Sequence, residues 1–390
     1  MKLILVLIIF INLIVEVNAN NLKQTINSNY AILYNIQHDT ILYDKNIHKS
    51  YNPASLTKII SLNLVTKCID LNQNITIDKQ VIDSVFKNSS HISLNYNEII
   101  KGYDLAYATM VVSGNDAINA LAIKCAGSID HFVSLMNQYR DNLSLVNTNF
   151  INPNGLNDIG HYTSAYDMAM FIKDSINNPL FVKYFDTKIY NIPKTNKYPS
   201  RQLINTNALI RELDYILGGK TGWDGKNNYT LATHSLINNN NYIIVTLDAK
   251  DRQSSYQDHL NLINHASKYN TIIYNKDNIE PIIIDYHFMN LLNQQVIFTL
   301  KDNIELLSQY DINDINYEIT INNKDDYNNI NAFIELKVLD KLIYKEELNK
   351  ELIVYDISFY TIILPILTII SLIIIIISIL IYKKNKTKYY

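Results

Sequence analysis

Apolar and polar residues form two different patterns in the first part of the chain, and each pattern predicts a different element. Residues 29–46, NYAILYNIQHDTILYDKN, contain two short apolar runs on either side of a polar centre, which predicts two strands joined by a turn. From Ser55 onward the apolar residues recur at the spacing of a helix face, at Leu56, Ile59, Ile60, Leu62 and Leu64. Ser55 is therefore predicted to begin a buried helix.

Helical and strand patterns continue to about residue 269. Residues 105–127 predict two helical stretches interrupted by Ser113-Gly114-Asn115. The remaining predicted elements are helices near 130–142, 162–176 and 257–269 and strands over 217–225 and 228–249. Strands, a helical middle and strands again indicate an α+β domain, in which one antiparallel sheet is assembled from both ends and helices pack on it.

After about residue 275 the pattern changes to short alternating segments separated by Asn and Asp turns. These segments are QQVIFTL, NYEITIN, FIELKV and LIYKEEL. They predict a small all-β domain over residues 277–355, which follows a first domain over residues 23–274. The β domain contains no cluster of candidate catalytic groups, so a spacer or docking role is expected.

Two apolar segments lie outside both domains. Residues 1–19 have a basic start, an apolar stretch and small residues at Val17 and Ala19, the layout of a cleaved secretory signal; an uncleaved anchor would export the chain equally. Residues 357–382 carry no charge, and a helix of that length spans ~39 Å, enough to cross a bilayer. The basic tail, residues 383–390, favours the cytoplasmic side, so both domains are expected outside.

The charge and cysteine content narrow the function classes. Lys2 and Glu16 cancel, and removing the four tail lysines takes the net charge from −3 to about −7. No basic block remains that would indicate nucleic acid. Cys68 and Cys125 are the only cysteines, and the sequence leaves open whether they form a disulfide or remain buried thiols. No metal-binding pattern is present, and no cofactor is predicted.

Three short motifs carry the candidate chemistry. They are Ser55-Leu56-Thr57-Lys58, Ser113-Gly114-Asn115 and Lys220-Thr221-Gly222. Each motif alone is weak evidence, because the first could be a helix cap, the second a loop and the third a turn with a solvated lysine. When the three motifs occur together and in this order, a catalytic or substrate-binding role can be assigned to each of their polar residues.

The first motif predicts a nucleophile and its base, and the second motif predicts a residue that transfers the proton. Ser55 at a helix N-terminus would expose its hydroxyl, and Lys58, one turn later on the same face, would reach it. A lysine acts as a base only if its pKa falls, and both burial and the like charge of Lys220 would lower it. Ser113 would then pass the proton toward the leaving amine.

Substrate-binding roles are predicted for the other motif residues. Asn115 would hold Lys58 and the substrate amide. Lys220 and Thr221, in a strand that continues through Gly222, would lie beside a substrate carboxylate. The backbone N–H groups of Ser55 and Trp223 would donate to the oxyanion.

The motif set resembles the serine acyl-transferases that include penicillin-binding proteins and class A β-lactamases. It is most similar to the low-molecular-mass D-alanyl-D-alanine carboxypeptidases, the DacA-like serine peptidases of family S11. The similarity covers about residues 30–269 and is carried by PASLTK, SGNDA, FINPNGLNDIGHYTSAYDMA and INTNALIRELDYILGGKTG. It implies a penicillin-binding-protein-like fold followed by the β domain and the terminal anchor.

The resemblance also implies a function and a location. The expected reaction removes the terminal D-alanine from peptidoglycan pentapeptides through an acyl-enzyme on Ser55, at the outer (periplasmic) face of the bacterial inner membrane. β-Lactam antibiotics are expected to acylate the same serine. Arg252 aligns with an arginine that the family uses near the substrate carboxylate, whereas His161 and Asp167 are expected to brace their loop.

The sequence departs from the family pattern after the third motif. Asp224 stands where a Thr or Ser is usual, and KNN at residues 226–228 replaces a typical Ala-Ala-Gly. An inward-facing acid would weaken the binding of a carboxylate. These changes bear on efficiency and specificity more than on the type of reaction.

Three alternatives remain open. A class A β-lactamase needs a Glu-x-x-Leu-Asn loop between the second and third motifs, and none occurs there. A DD-endopeptidase would use the same residues as a carboxypeptidase. A catalytically weak wall-binding scaffold would explain Asp224 and the β domain but not the complete motif set.

Overall fold

The computed structural model describes residues 25–85, 88–226, 228–288, 292–326, 328–354 and 359–386. The predicted signal segment, residues 1–19, lies outside the described residues. The chain divides between Asn270 and Thr271 into two compact units, a few residues before the predicted end of the first domain at residue 274.

The first unit contains strands and helices in alternation. Its strands are β1 (Tyr30–Asn35), β2 (Thr40–Lys45), β3 (Asn74–Thr76), β4 (Ile99–Lys101), β5 (Ile189–Ile192), β6 (Arg201–Ile204), β7 (Ile216–Trp223), β8 (Tyr229–Ile237) and β9 (Asn240–Ala249). Its α-helices are α1 (Thr57–Cys68), α2 (Lys79–Asp83), α3 (Gly102–Val111), α4 (Asn115–Ala126), α5 (Ile129–Asn142), α6 (Ala165–Ser175), α7 (Pro179–Phe185), α8 (Ala208–Glu212) and α9 (Arg252–Ala266). A single-turn 3₁₀-helix, Ala54–Leu56, leads into α1.

The central sheet has the order β2-β1-β9-β8-β7, and every neighbouring pair is antiparallel. The N-terminal hairpin β1–β2 thus pairs with the C-terminal strand β9, which confirms the prediction of one sheet assembled from both ends. Side chains alternate across it, as the pleat requires. Ile32 of β1 joins the larger core with Phe171 of α6, whereas Leu33 joins a smaller core with Leu262 of α9.

Two helix boundaries differ from the sequence prediction. The helix expected near 162–176 begins at Ala165, because Tyr162 and Thr163 form β-bridges and the Ser164 hydroxyl caps the helix. The helix expected near 257–269 begins at Arg252, because the Asp251 carboxylate accepts the Ser254 N–H and caps it there.

The two cysteines form a disulfide, with a Cα–Cα distance of 5.8 Å. Cys68 ends α1 and is exposed, and Cys125 lies in the last turn of α4. The alternative of two buried thiols is therefore wrong.

The second unit is all-β up to a C-terminal helix. Its strands are β10 (Asn270–Tyr274), β11 (Ile282–Phe288), β12 (Leu292–Thr299), β13 (Ile304–Ser308), β14 (Asn316–Asn322), β15 (Asn331–Val338), β16 (Lys341–Glu347) and β17 (Asn349–Val354). They pair as β11-β12-β17, β14-β15-β16 and β10-β13, and two short 3₁₀-helices, Lys276–Asn278 and Ile312–Asp314, connect them. The predicted small β domain is confirmed.

Helix α10 (Phe359–Lys386) follows the β strands. Its segment Leu364–Ile381 has a mean hydropathy of 3.1, so it is long and apolar enough to cross a membrane. The apolar helix expected over residues 357–382 is present from Phe359 onward, and residues 357 and 358 lie outside the described residues.

Candidate active site

Ser55 lies in a turn whose backbone is strained. The preceding residue, Ala54, has a φ of 47°, a left-handed value that is uncommon for a residue other than glycine. Two side chains hold this turn: Asn52 Oδ1 accepts the Ala54 N–H at 2.7 Å, and the Thr57 hydroxyl donates to the Ala54 carbonyl at 2.8 Å. Ser55 is thereby fixed at the entry to α1, with its side chain partly exposed.

Lys58 is fully buried one turn later. Its Nζ lies 2.9 Å from Ser55 Oγ and 2.5 Å from the carbonyl oxygen of Asn154. Burial, followed by the charge of Lys220, holds the pKa of Lys58 well below its usual 10.5, and Asp116 opposes the shift weakly. A neutral amine that donates one N–H to Asn154 keeps its lone pair for the Ser55 proton.

A second buried amine belongs to Lys220 on β7. Its side chain is 1% exposed, and its Nζ donates to the Thr221 carbonyl at 2.7 Å. Burial lowers the pKa of Lys220 to about 7. Two amines with lowered pKa values therefore lie close enough to influence one another.

Gly222 allows β7 to pass directly against the nucleophile turn. A Cβ at this position would lie 3.1 Å from the Ser55 nitrogen and 2.2 Å from Thr230 Oγ1, so no larger residue fits. The close approach puts the strand backbone at Gly222 beside the N–H of Ser55. Trp223, whose N–H is the predicted second oxyanion donor, is the next residue of β7.

Ser113 and Asn115 lie at the break between α3 and α4. Ser113 has a φ of 62°, which breaks the helical path. Ser113 Oγ and Asn115 Oδ1 are buried and have no hydrogen-bond partner among the described residues. Buried polar atoms are normally paired, so these two are available to a polar substrate.

One groove brings the predicted residues together. Seven of the nine line it: Ser55, Ser113, Asn115, Thr221, Gly222, Trp223 and Arg252. The other two, Lys58 and Lys220, are buried beside it. Arg252 lies in the first turn of α9 with its side chain exposed.

Three further groups at the site were missed by sequence reasoning. The Asn154 carbonyl contacts Lys58, and a backbone acceptor leaves no side-chain signal. The Asp116 carboxylate accepts the N–H groups of Ile92 and Leu94 and so holds a segment that borders the groove. Thr206 Oγ1 lies 2.7 Å from Thr221 Oγ1. Thr206 belongs to the INTN segment that resembles the family, so the family resemblance could have identified it as a site residue.

His161 and Asp167 have the bracing contacts expected of them. His161 Nδ1 accepts the Ile151 N–H at 3.1 Å, so its Nε2–H faces Thr57 Oγ1 at 2.9 Å. Burial lowers the pKa of His161 to about 4, which keeps the ring neutral. The Asp167 carboxylate accepts from Asn147 and Thr148 in the adjoining loop.

Asp224 is bound within the turn between β7 and β8. Its oxygens accept the Lys226 N–H at 2.9 Å and the Asn228 Nδ2–H at 2.8 Å. It lines the groove beyond Trp223, on the far side from Lys220 and Thr221 along the strand. The expected repulsion of a carboxylate bound at Thr221 is therefore reduced by distance.

The sequence is similar to that of known D-alanyl-D-alanine carboxypeptidases. The profile of the Peptidase S11 family, described as D-alanyl-D-alanine carboxypeptidase, matches residues 16–251. The chain is 34% identical over 219 residues to D-alanyl-D-alanine carboxypeptidase DacF of Bacillus subtilis, covering 55% of this chain and 56% of that protein. It is 31% identical over 220 residues to DacA of Haemophilus influenzae, covering 55% and 54%. The chain thus spans about half the length of the curated relatives it matches.

Solved structures share the fold. The Streptomyces K15 DD-transpeptidase has a TM-score of 0.58 and 26% identity, over 62% of this chain and 97% of that one. Penicillin-binding protein 5 from Haemophilus influenzae has a TM-score of 0.66 at 23% identity, over 83% of this chain and 96% of that one. The predicted α+β fold class is confirmed.

Proposed function

Because the chain belongs to the Peptidase S11 family of D-alanyl-D-alanine carboxypeptidases, we propose that it removes the terminal D-alanine from peptidoglycan pentapeptides through an acyl-enzyme on Ser55. The observation that carries the proposal is the 2.9 Å contact between Ser55 Oγ and a fully buried Lys58. A lysine in solvent would be protonated and could not accept the serine proton.

In the first half-reaction Lys58 Nζ takes the Ser55 proton while Oγ attacks the carbonyl between the two D-alanines. The N–H groups of Ser55 and Trp223 stabilise the oxyanion. As the C–N bond breaks, the proton passes from Lys58 through the Ser113 hydroxyl to the leaving nitrogen. D-Alanine departs, and the peptide remains as an ester on Ser55.

In the second half-reaction water attacks the ester carbonyl and gives up a proton to Lys58. The ester C–O bond then breaks, and Ser55 Oγ recovers its proton. Lys220, Thr221 and Arg252 bind the terminal carboxylate before cleavage, and Asn115 binds the peptide amide. A β-lactam would acylate Ser55 in the same way, but its amine stays tethered and slows hydrolysis.

Labelling with a fluorescent penicillin tests the acyl-enzyme. The wild-type chain should retain the label through denaturation, and Ser55→Ala should not. An unlabelled wild type would contradict the proposal and favour a scaffold.

Product analysis separates the enzyme classes. Release of D-alanine from a pentapeptide, with slow turnover of a chromogenic cephalosporin, is the expected result. Rapid cephalosporin hydrolysis without D-alanine would indicate a β-lactamase, and cleavage of cross-linked dimers would add endopeptidase activity.

The same proposal extends to location. We propose that residues 1–19 direct export, that residues 23–274 form the catalytic domain, and that residues 357–382 anchor the chain in the inner membrane with the groove outside. The apolar segment Leu364–Ile381 supports the anchor. Carbonate extraction of membranes, compared with a chain ending at residue 356, tests it.

A further inference from the structure

We infer that Asn119 is a positioning residue for the reaction, because its amide fixes the loop that presents the Asn154 carbonyl to Lys58. The inference rests on the proposed function and deepens it by naming a residue that holds the base in place. Asn119 lies one helical turn after Asn115 on the same face of α4 and is 2% exposed. Asn115 lines the groove, whereas Asn119 is buried behind it and acts through its neighbours.

An amide at position 119 is unexpected from packing alone. The other residues from 117 to 122 are apolar and buried, so an apolar side chain at 119 would continue the core. A buried amide lowers stability unless its oxygen and its nitrogen are both hydrogen-bonded. Asn119 meets this condition, and its two partners lie in different parts of the fold.

The hydrogen bonds of Asn119 have only one possible direction. The Ser84 hydroxyl at the end of α2 donates its single proton to the Val81 carbonyl at 2.7 Å, so its oxygen can only accept. Asn119 Nδ2 donates to this oxygen at 2.9 Å. Asn119 Oδ1 is therefore left for the Asn154 amide, which donates to it at 3.1 Å. One end of the Asn119 amide is fixed by a helix, and the other end holds the loop.

Asn154 passes this restraint to the base. Its Oδ1 accepts the Leu156 N–H at 2.9 Å, which closes a turn around Gly155. Its backbone carbonyl accepts from Lys58 Nζ at 2.5 Å, and the same Nζ lies 2.9 Å from Ser55 Oγ. The carbonyl is therefore held in place through both ends of the Asn154 side chain. Without that restraint the carbonyl would shift, and Lys58 would no longer be aimed at the nucleophile.

Asn119→Leu keeps a side chain of similar volume and removes both hydrogen bonds. Single-turnover acylation by a fluorescent penicillin is followed over a range of concentrations, which separates the limiting rate constant from the half-saturating concentration. The limiting rate constant should fall by roughly tenfold to a hundredfold, because the base is displaced from its working position. The half-saturating concentration should stay within about twofold, because the groove itself keeps its binding groups.

Asn63→Leu is the matched control. Asn63 is a fully buried amide on α1, the helix that carries Lys58. Its Nδ2 donates to Tyr139 Oη at 2.9 Å, and its Oδ1 accepts from Asn178 at 3.1 Å. These partners belong to α5 and to the cap of α7, not to the loop at Asn154. Both variants should unfold at lower urea than the wild type, and only Asn119→Leu should lose acylation rate.

Asn154→Ala tests the route by which Asn119 acts. It keeps the backbone carbonyl and removes the amide that Asn119 holds, so it should also lower the limiting rate constant. Asn119→Leu added to Asn154→Ala should lower the constant by less than about a further twofold, because the two substitutions remove the same bond.

A limiting rate constant that Asn119→Leu leaves unchanged would contradict the inference, and so would equal losses of rate in Asn119→Leu and Asn63→Leu. Losses that multiply in the double variant would also overturn it, because Asn119 would then act by another route. If Asn119→Leu does not fold, an unchanged rate in Asn154→Ala has the same meaning. A wild-type chain that takes no penicillin label would contradict the proposed function instead, so the two failures are distinguishable.

Discussion

Lys58 and Lys220 are both buried amines, yet the proposed chemistry needs them in opposite protonation states. Lys58 must be neutral to accept a proton, and Lys220 must be cationic to attract a carboxylate. Burial lowers both pKa values, and the Lys220 charge lowers that of Lys58 further. The pH range of activity should therefore lie between the two titrations.

We expect kcat/KM for D-alanine release to be bell-shaped in pH. The acidic limb follows loss of the Lys58 proton, and the alkaline limb follows loss of the Lys220 charge, whose pKa in the free enzyme is about 7. Lys220→Arg should shift the alkaline limb upward, because a guanidinium stays charged. Initial rates from pH 5 to 10 measure both limbs, and an alkaline limb unchanged in the variant would assign it to another group.

His161 links the site to acid stability. Its pKa is about 4 when folded and 6.5 in the reference state, so the unfolded chain binds more protons between these values. Stability should therefore decline as pH falls from 6.5 to 4, by about 3 kcal/mol from this residue. Urea unfolding at pH 7 and pH 4 measures the decline.

His161→Gln should flatten this part of the stability curve. His259 provides the comparison, since it is buried between the hydroxyls of Thr233 and Thr246 and burial lowers its pKa to about 3. Its contribution has the same sign and should persist in the variant. An unchanged slope in His161→Gln would mean that His161 is already protonated in the folded state.

At the scale of elements, the nucleophile turn depends on the loop that crosses it. Gly155 has a φ of +81°, and a Cβ there would lie 1.8 Å from the Ala54 carbonyl oxygen. The same loop supplies the Asn154 carbonyl that contacts Lys58. Loop, turn and base are therefore positioned as one unit.

Gly155→Ala should reduce penicillin labelling of Ser55 sharply and destabilise the fold. Gly127→Ala is the matched control, because Gly127 has a φ of +80° with no atom within 4 Å of the added Cβ. Strain alone costs about 1 kcal/mol at both positions, and the clash should add roughly 3 kcal/mol at Gly155. Equal unfolding free energies and equal labelling in the two variants would show that the loop can move away.

The long periodic elements could be predicted from the sequence, and the short ones could not. The β1–β2 hairpin and the strands β7 to β9 are predictable because their short segments are bounded by clear polar, Gly and Asn turns. Helices α2 and α8, of five residues each, carry too few positions for a period to emerge. The start of α9 was missed because its cap, Asp251, lies in a polar stretch that resembles a turn.

The side chains of the candidate site could be predicted from the sequence, but its backbone contacts could not. The three motifs named the residues that converge on the groove. The Asn154 carbonyl and the close approach at Gly222 depend on the tertiary path of the chain, which no local pattern encodes. Pairing of Cys68 with Cys125, 57 residues apart, is of the same kind.

On the scale of the whole molecule, two helices connect the groove to the disulfide. Helix α1 follows Ser55 and ends at Cys68, and α4 begins at Asn115 and carries Cys125 in its last turn. The bridge joins the ends of the helices that lie away from the groove. It therefore restrains the two motif-bearing helices without contributing a group to the chemistry.

Loss of this bridge should lower stability and leave the chemistry intact. For a loop of this length the chain-entropy relation gives about 4 kcal/mol, and measured effects are commonly about 2–4 kcal/mol. The double variant Cys68→Ser/Cys125→Ser should unfold at lower urea, yet its Ser55 should still take a penicillin label under folding conditions. Dithiothreitol should destabilise the wild type and leave the double variant unchanged, because the variant has no bond to reduce. If reductant and substitution both left the urea midpoint unmoved, the packing of α1 on α4 alone would hold the two halves of the site together.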